Sequence, residues 1–307
     1  MAGSGRRDSF LSSEPERVID KIRRAQERSS SSEVESRVSE LIDSLLMRYN
    51  DRDHEAVGRH LSAVKSALQR DIEGTIDLRF GGSVAKHTYV DGLSDLDSLV
   101  ILDSCDLADR PPSEALAYLE ARLKERFPGT AVRKGSVAIT IHFSDVELQL
   151  VPVVSCRNKF KIADNEHDKW SLIDPQRFSE TLTSANQSSG GKLVPVVKIA
   201  KFITNKLPRQ QRVESYHLEA LAVEVFGRYD GPHNTKAMLK HFFQESHKLV
   251  LSPIADLSGQ SIHVDDYLGP EASLERRVVS DALARVGRRM GNADAASSFD
   301  EWEDILT

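Results

Sequence analysis

The sequence is poor in cysteine: Cys105 and Cys156 are the only two among 307 residues. Two cysteines make neither a disulfide framework nor the paired spacing of a zinc site, and they fit a reducing compartment. Long apolar runs are missing too; none reaches the roughly 20 residues that span a bilayer. The first residues carry no apolar stretch of the signal-peptide kind, so the expectation is a cytoplasmic protein without a membrane partner. Positive charge is not in excess either. Lysine and arginine number 41 against 47 acidic residues, a formal charge of −6. Any nucleotide or nucleic-acid binding must then rest on local lysines and arginines. With no long basic tract and no zinc site, direct binding of double-stranded DNA is not expected. No internal repeat is visible.

What is present is an ordinary globular composition, 39% apolar and 29% charged, over a length that suits two domains or one large one. Residues 1–33 read as a mobile segment: 1–14 are rich in Gly, Ser and Arg, and "RSSSSE" (28–33) looks like a linker closing on a helix N-cap. Val38, Leu41, Ile42, Leu45 and Leu46 then recur at helical spacing, as do Val57, Leu61, Val64, Leu68 and Ile72. The texture next turns to period two. Strands are expected at 75–82, 95–102, 131–143 and 146–154, with a helix at 113–127. Residues 155–191 read as polar loop, and helices are expected at 192–205, 215–229 and 272–290. Strands mixed with helices and hairpins indicate an α+β sheet domain with its N-terminal helices, 34–175, followed by a helical domain, 176–307.

The chemistry concentrates in "GGSVAKHTYVDGLSDLDSLVIL", residues 81–102. Carboxylates beside a core strand are costly unless something offsets them. Residues i and i+2 of a strand share a face, about 6–7 Å apart, so Asp95 and Asp97 can aim at one spot. Hard oxygen ligands of this kind suit Mg²⁺, and a pair of such ions can activate a hydroxyl and stabilise a leaving pyrophosphate. Upstream, Gly81, Gly82 and Ser83 form a turn whose backbone N–H groups and hydroxyl can cradle a triphosphate.

A strand, a Gly-Ser turn, a short helix and Asp-x-Asp on the next strand together resemble the polymerase-β-like nucleotidyltransferase superfamily. The second half is more selective. "FKIADNEHDKWSLIDPQRF", "GGKLVPVVKIAKFITNKL", "ESYHLEALAVEVF" and the closing "VDDYLG" follow in the order seen in the bacterial cGAS/DncV-like nucleotidyltransferases, over residues 50 to 290. The resemblance implies a bilobed fold like that of cyclic GMP-AMP synthase and oligoadenylate synthase. It implies a third metal-binding carboxylate from a neighbouring strand. Many relatives carry an aspartate where this chain has Gln149, and Glu147, one pleat earlier, is the expected substitute, with Asp145 nearer the turn. Lys201 matches the lysine that contacts the triphosphate, with Lys198 on the same helix face, Ser215 at the phosphate, and Tyr216 stacking on the base. His217 is expected to be structural.

The implied reaction consumes ATP and/or GTP with two Mg²⁺ ions, Mn²⁺ being able to substitute. It builds a cyclic di- or trinucleotide second messenger for antiphage defence, releases pyrophosphate, and reaches a downstream effector through its product alone. Two other readings stay open: transfer to an RNA 3′ end or a protein hydroxyl, and a degenerate nucleotide sensor, which Gln149 favours.

Overall fold

The computed structural model describes residues 15–49, 54–70, 72, 75–90, 96–103, 105–157, 159–164, 168–259 and 261–307. Helices α1 (Pro15–Tyr49) and α2 (His54–Gln69) lead into β1 (Thr75–Phe80), the short α3 (Gly82–Ala85) and β2 (Leu96–Asp103). Helix α4 (Pro112–Arg126) precedes β3 (Ala131–Lys134), β4 (Ile139–His142) and β5 (Glu147–Cys156). Strands β6 (Lys159–Asp164) and β7 (Lys169–Ile173) follow, then helices α5 (Pro175–Ser188), α6 (Leu193–Asn205), α7 (Ser215–Phe226), α8 (Thr235–Leu249), α9 (Leu274–Ala295) and α10 (Phe299–Leu306). The order of the sheet is β1-β2-β5-β4-β3, with β6 and then β7 added at the far end of β5. Among the described residues, β2 and β5 run parallel and the other pairs are antiparallel.

Among the described residues, the apolar side chains gather into two cores. In the first, Val100, Leu102, Ile139, Ile141, Leu148 and Leu150 of the sheet meet Val64 and Leu68 of α2 and Leu116, Leu119 and Leu123 of α4. Each such buried side chain contributes about 1.5–3 kcal/mol of transfer free energy. The second core is helical, with Val197 and Ile199 of α6, Leu221 of α7, Phe242 and Phe243 of α8, Leu283 of α9 and Trp302 of α10.

Four expectations change. The linker read at 28–33 lies inside α1, and residues 1–14 fall outside the described residues. Serine is only a few tenths of a kcal/mol worse than alanine within a helix, and extending an existing helix costs far less than starting one. The helical stripe of 34–48 packs into the helical core through Val38, Ile42 and Leu45, not against the sheet with which it was grouped. Finally, the loop read at 155–191 contains β6, β7 and α5. Lysine-rich strands at a sheet margin show little apolar alternation, but the start of α5 was legible: the Asp174 side chain accepts the Arg177 N–H at 3.2 Å, and Pro175 opens the helix. The single strand read over 131–143 is a hairpin, closed where the Gly135 N–H donates to the Ala138 carbonyl at 2.7 Å.

Candidate active site

Val100 and Leu102 of β2 and Leu148 and Leu150 of β5 pack in the core with α2 and α4, so the alternation of the pleat sends Asp97, Glu147 and Gln149 to the opposite face. Register decides which of them meet. Asp97 stands directly across from Gln149, and Gln149 from Thr140 of β4. Glu147 is opposite His142, whose Nδ1 lies 2.7 Å from Glu147 Oε2. Asp145 leaves this face. It occupies the turn before β5, with Oδ1 2.8 Å from Nε2 of His60 on α2. Asp95 falls outside the described residues. Among the described residues, no group of three His, Cys, Asp or Glu side chains is placed to hold a metal ion. The donors that the register does align, the Asp97 carboxylate and the Gln149 amide with Glu147 one pleat away, are hard oxygens of the type Mg²⁺ prefers.

The Gly-Ser turn and Asp97 form one unit. The Gly81 N–H donates to the Asp97 carbonyl at 2.8 Å. Gly82 has φ +48°, and a Cβ added to it would lie 1.7 Å from Asp97 Oδ2. Only glycine lets the backbone approach the carboxylate so closely. Ser83 is buried, and its carbonyl accepts the Thr88 N–H at 2.9 Å.

The helical lobe closes on this turn from behind. Lys201, 2% exposed on α6, donates to Glu219 Oε1 at 2.8 Å, to the Thr88 carbonyl at 3.1 Å and to Thr88 Oγ1 at 3.3 Å. An ammonium has three N–H donors, and this arrangement uses all of them. Burial pulls the Lys201 pKa down, and Glu219 restores part of the loss. Lys198 is buried on the same helix; burial, then the charge of Lys201, lowers its pKa. Glu219 also accepts from Thr88 Oγ1 and pairs with the Lys86 ammonium. Sequence reasoning missed both Lys86 and Glu219. The signal was a glutamate one turn after Ser215 in an apolar helix, since a carboxylate so placed must find a cationic partner.

Tyr216 donates its hydroxyl to Asp256 Oδ1 at 2.7 Å and packs edge-on to Phe178, ring centroids 4.7 Å apart. Ser215 is exposed in the first turn of α7. That turn is held from below: Tyr267 Oη accepts the Glu214 N–H at 3.0 Å and sits 3.0 Å from His217 Nδ1. Burial pushes the His217 pKa down to about 4, so the ring is neutral near pH 7. Beside it, Asp265 pairs with the fully buried Arg276, which accounts for the "VDDYLG" segment.

The family model described as Second Messenger Oligonucleotide or Dinucleotide Synthetase domain matches residues 32–186, half of the chain. The chain belongs to this synthetase family. It is a nucleotidyltransferase of the cGAS/DncV-like kind that the sequence resembled. A search of curated protein sequences finds no match. Among solved structures, the synthetase is similar to Escherichia coli MS115-1 CdnC with ATP, at 16% identity and a TM-score of 0.59 over 89% of this chain and 96% of that one. It is similar to Escherichia coli DncV in its 3′-deoxy GTP bound form, at 12% identity and 0.62 over 94% and 88%. Vibrio cholerae DncV cyclic AMP-GMP synthase, in complex with the linear intermediate 5′ pppA(3′,5′)pG, gives 14% identity and 0.60 over 95% and 89%. At these identities the likeness establishes the bilobed α+β fold of the synthetase. Among the described residues, no helix is long and apolar enough to cross a membrane.

Proposed function

We propose that this synthetase takes ATP and/or GTP, joins them through a ribose hydroxyl, and closes a cyclic di- or trinucleotide that signals in antiphage defence. In each step the hydroxyl oxygen forms a bond to the α-phosphorus as the bond to pyrophosphate breaks. The observation that carries the reading is the Gly81–Ser83 turn seated on the Asp97 carboxylate, with Lys201 of α6 behind it. Ligands in the solved relatives, ATP, 3′-deoxy GTP and a linear dinucleotide intermediate, support it.

In this reading, Gly82 and Ser83 receive the triphosphate, and Ser215 and Lys198 add a hydroxyl and a charge beside it. Lys201 supplies its charge from behind the turn, its N–H groups being engaged by Glu219 and Thr88. Tyr216 stacks on a base, a contact that tolerates any base. Asp97, Asp95 and Glu147 hold Mg²⁺, as two ions that Mn²⁺ can replace. When bound, the metal activates the hydroxyl and stabilises the leaving pyrophosphate. No protein nucleophile is required, because positioning and charge neutralisation carry the catalysis.

Incubation of the purified protein with labelled nucleotides and Mg²⁺ should give a product that resists phosphatase and yields to a phosphodiesterase, and chelation should abolish it. Growth of added RNA in its place would favour the RNA-acceptor reading, and nucleotide binding without turnover the sensor.

The third carboxylate has its own test. Glu147→Gln keeps size and hydrogen bonding but removes the charge, and should lower the rate at least about a hundredfold, roughly 2.7 kcal/mol. Gln149→Ala removes a neutral amide and should cost less than about tenfold. The reverse order would put the third oxygen donor at Gln149, directly across from Asp97.

A further inference from the structure

Glu219 is a single carboxylate, its side chain 1% exposed, that meets two ammonium groups from different parts of the fold. Lys201 comes from α6 beside it. Lys86 comes from the sheet lobe, where it directly follows α3, the helix that Gly82 opens against Asp97. The Lys86 side chain is 11% exposed; its Nζ lies 4.9 Å from the ring centroid of Tyr216 and 5.2 Å from that of Phe178. Burial pushes the Glu219 carboxyl up, but Lys86 and Lys201 more than offset it and hold it below its usual range. A continuous path therefore runs from Asp97 through Gly82 and α3 to Lys86, and from there to Glu219 and Tyr216 on α7. It joins the surface that would take the phosphates to the ring that would take a base.

We propose that Lys86 is a positioning residue for the synthetase reaction. Its ion pair with Glu219 tethers the Gly81–Ser83 turn, and the Asp97 carboxylate with it, to the start of α7. Phosphates on the turn and a base on Tyr216 are then received in one pose. The inference rests on the nucleotide placement proposed above. Lys86 is also the end of the tether that is safe to cut: removing it leaves Glu219 paired with Lys201, whereas removing Glu219 strands two buried ammonium groups.

The test uses Lys86→Met and Lys86→Arg in the full chain, assayed well below their melting temperatures. It combines steady-state kinetics on ATP and GTP with hydrogen exchange of the amides from Gly82 to Thr88. Misplacing reacting groups by a fraction of an ångström lowers the rate without removing the contacts that bind substrate. Lys86→Met should therefore lose at least about tenfold in kcat with KM within about threefold of wild type. Its turn should exchange faster, and Lys86→Arg should recover both properties, since a guanidinium reaches the same carboxylate.

Wild-type kcat and exchange in Lys86→Met would reduce Lys86 to packing and overturn the proposal. A rise in KM alone would overturn it too, by making Lys86 a direct phosphate ligand. Absence of product from the wild-type protein would overturn the proposed reaction instead. The tether would then be judged by exchange alone, and unchanged exchange in Lys86→Met would refute it.

Discussion

Asp97→Asn should reduce product formation by about a thousandfold or more, about 4 kcal/mol of transition-state stabilisation. Asparagine keeps the shape that fits against Gly82, and the bond from the Gly81 N–H goes to the main-chain carbonyl of Asp97, so the turn stays attached to β2. What is lost is the charge. A neutral amide binds a divalent cation weakly and gives little field to an incoming hydroxyl. The melting temperature should stay within about 3 °C of wild type, because no apolar contact and no main-chain hydrogen bond is removed. Product assays on the purified variant, with a thermal melt beside them, decide the point. Near-normal turnover would remove Asp97 from the metal site and the proposed mechanism with it.

Gly82→Ala should be nearly as damaging, through geometry instead of charge. The added Cβ would fall 1.7 Å from Asp97 Oδ2 and 2.5 Å from its Cγ, so the carboxylate has to move. The backbone there also has φ +48°, which costs a residue with a Cβ about 1–2 kcal/mol. Activity should fall by at least about a hundredfold as Asp97 is displaced. Two controls separate the causes. Gly191→Ala carries the same kind of backbone strain, φ +77°, with nothing within 4 Å of its Cβ; it should lose stability and keep activity. Gly81→Ala comes nearest the Leu99 side chain, at 3.2 Å, with the Asp97 carbonyl at an ordinary 3.8 Å, in an extended backbone with φ −116°, and should be mild in both respects. If Gly82→Ala behaves like Gly191→Ala, the close approach of turn and carboxylate has no part in turnover.

The legible parts of this protein are those that depend on neighbours in sequence. The alternation of Leu148 and Leu150 with Glu147 and Gln149 fixes which side chains leave the core, and the helical recurrence of Val57, Val64 and Leu68 marks α2. The glycine pair announces a turn before any fold is known. Segments with weak periodicity were misread. Helix α5 buries only Phe178 and Leu182 among its apolar side chains, too few to stand out against the surrounding polar residues. Asp145 fits the alternation on paper, yet it sits in the turn before the strand begins and turns to His60.

Sequence by itself determined the strands up to β5 and most of the helices, the Gly-Ser turn and the Asp-x-Asp pair, because these follow from local periodicity and backbone sterics; β6 and β7 it left as loop. Tertiary structure alone decided what each charge meets. Asp97 faces Gln149 because β2 and β5 run parallel in one particular register, 52 positions apart in the chain. Glu219 takes Lys86 from 133 positions away because closing the two lobes removes both from water, and a buried carboxylate without a cation would be too costly to keep. The 34–48 stripe of α1 could have covered either core; it joined the helical one, where Val38, Ile42 and Leu45 find apolar partners already assembled. An apolar stripe or a charge states the need for a partner, and only the packed chain settles which partner is within reach.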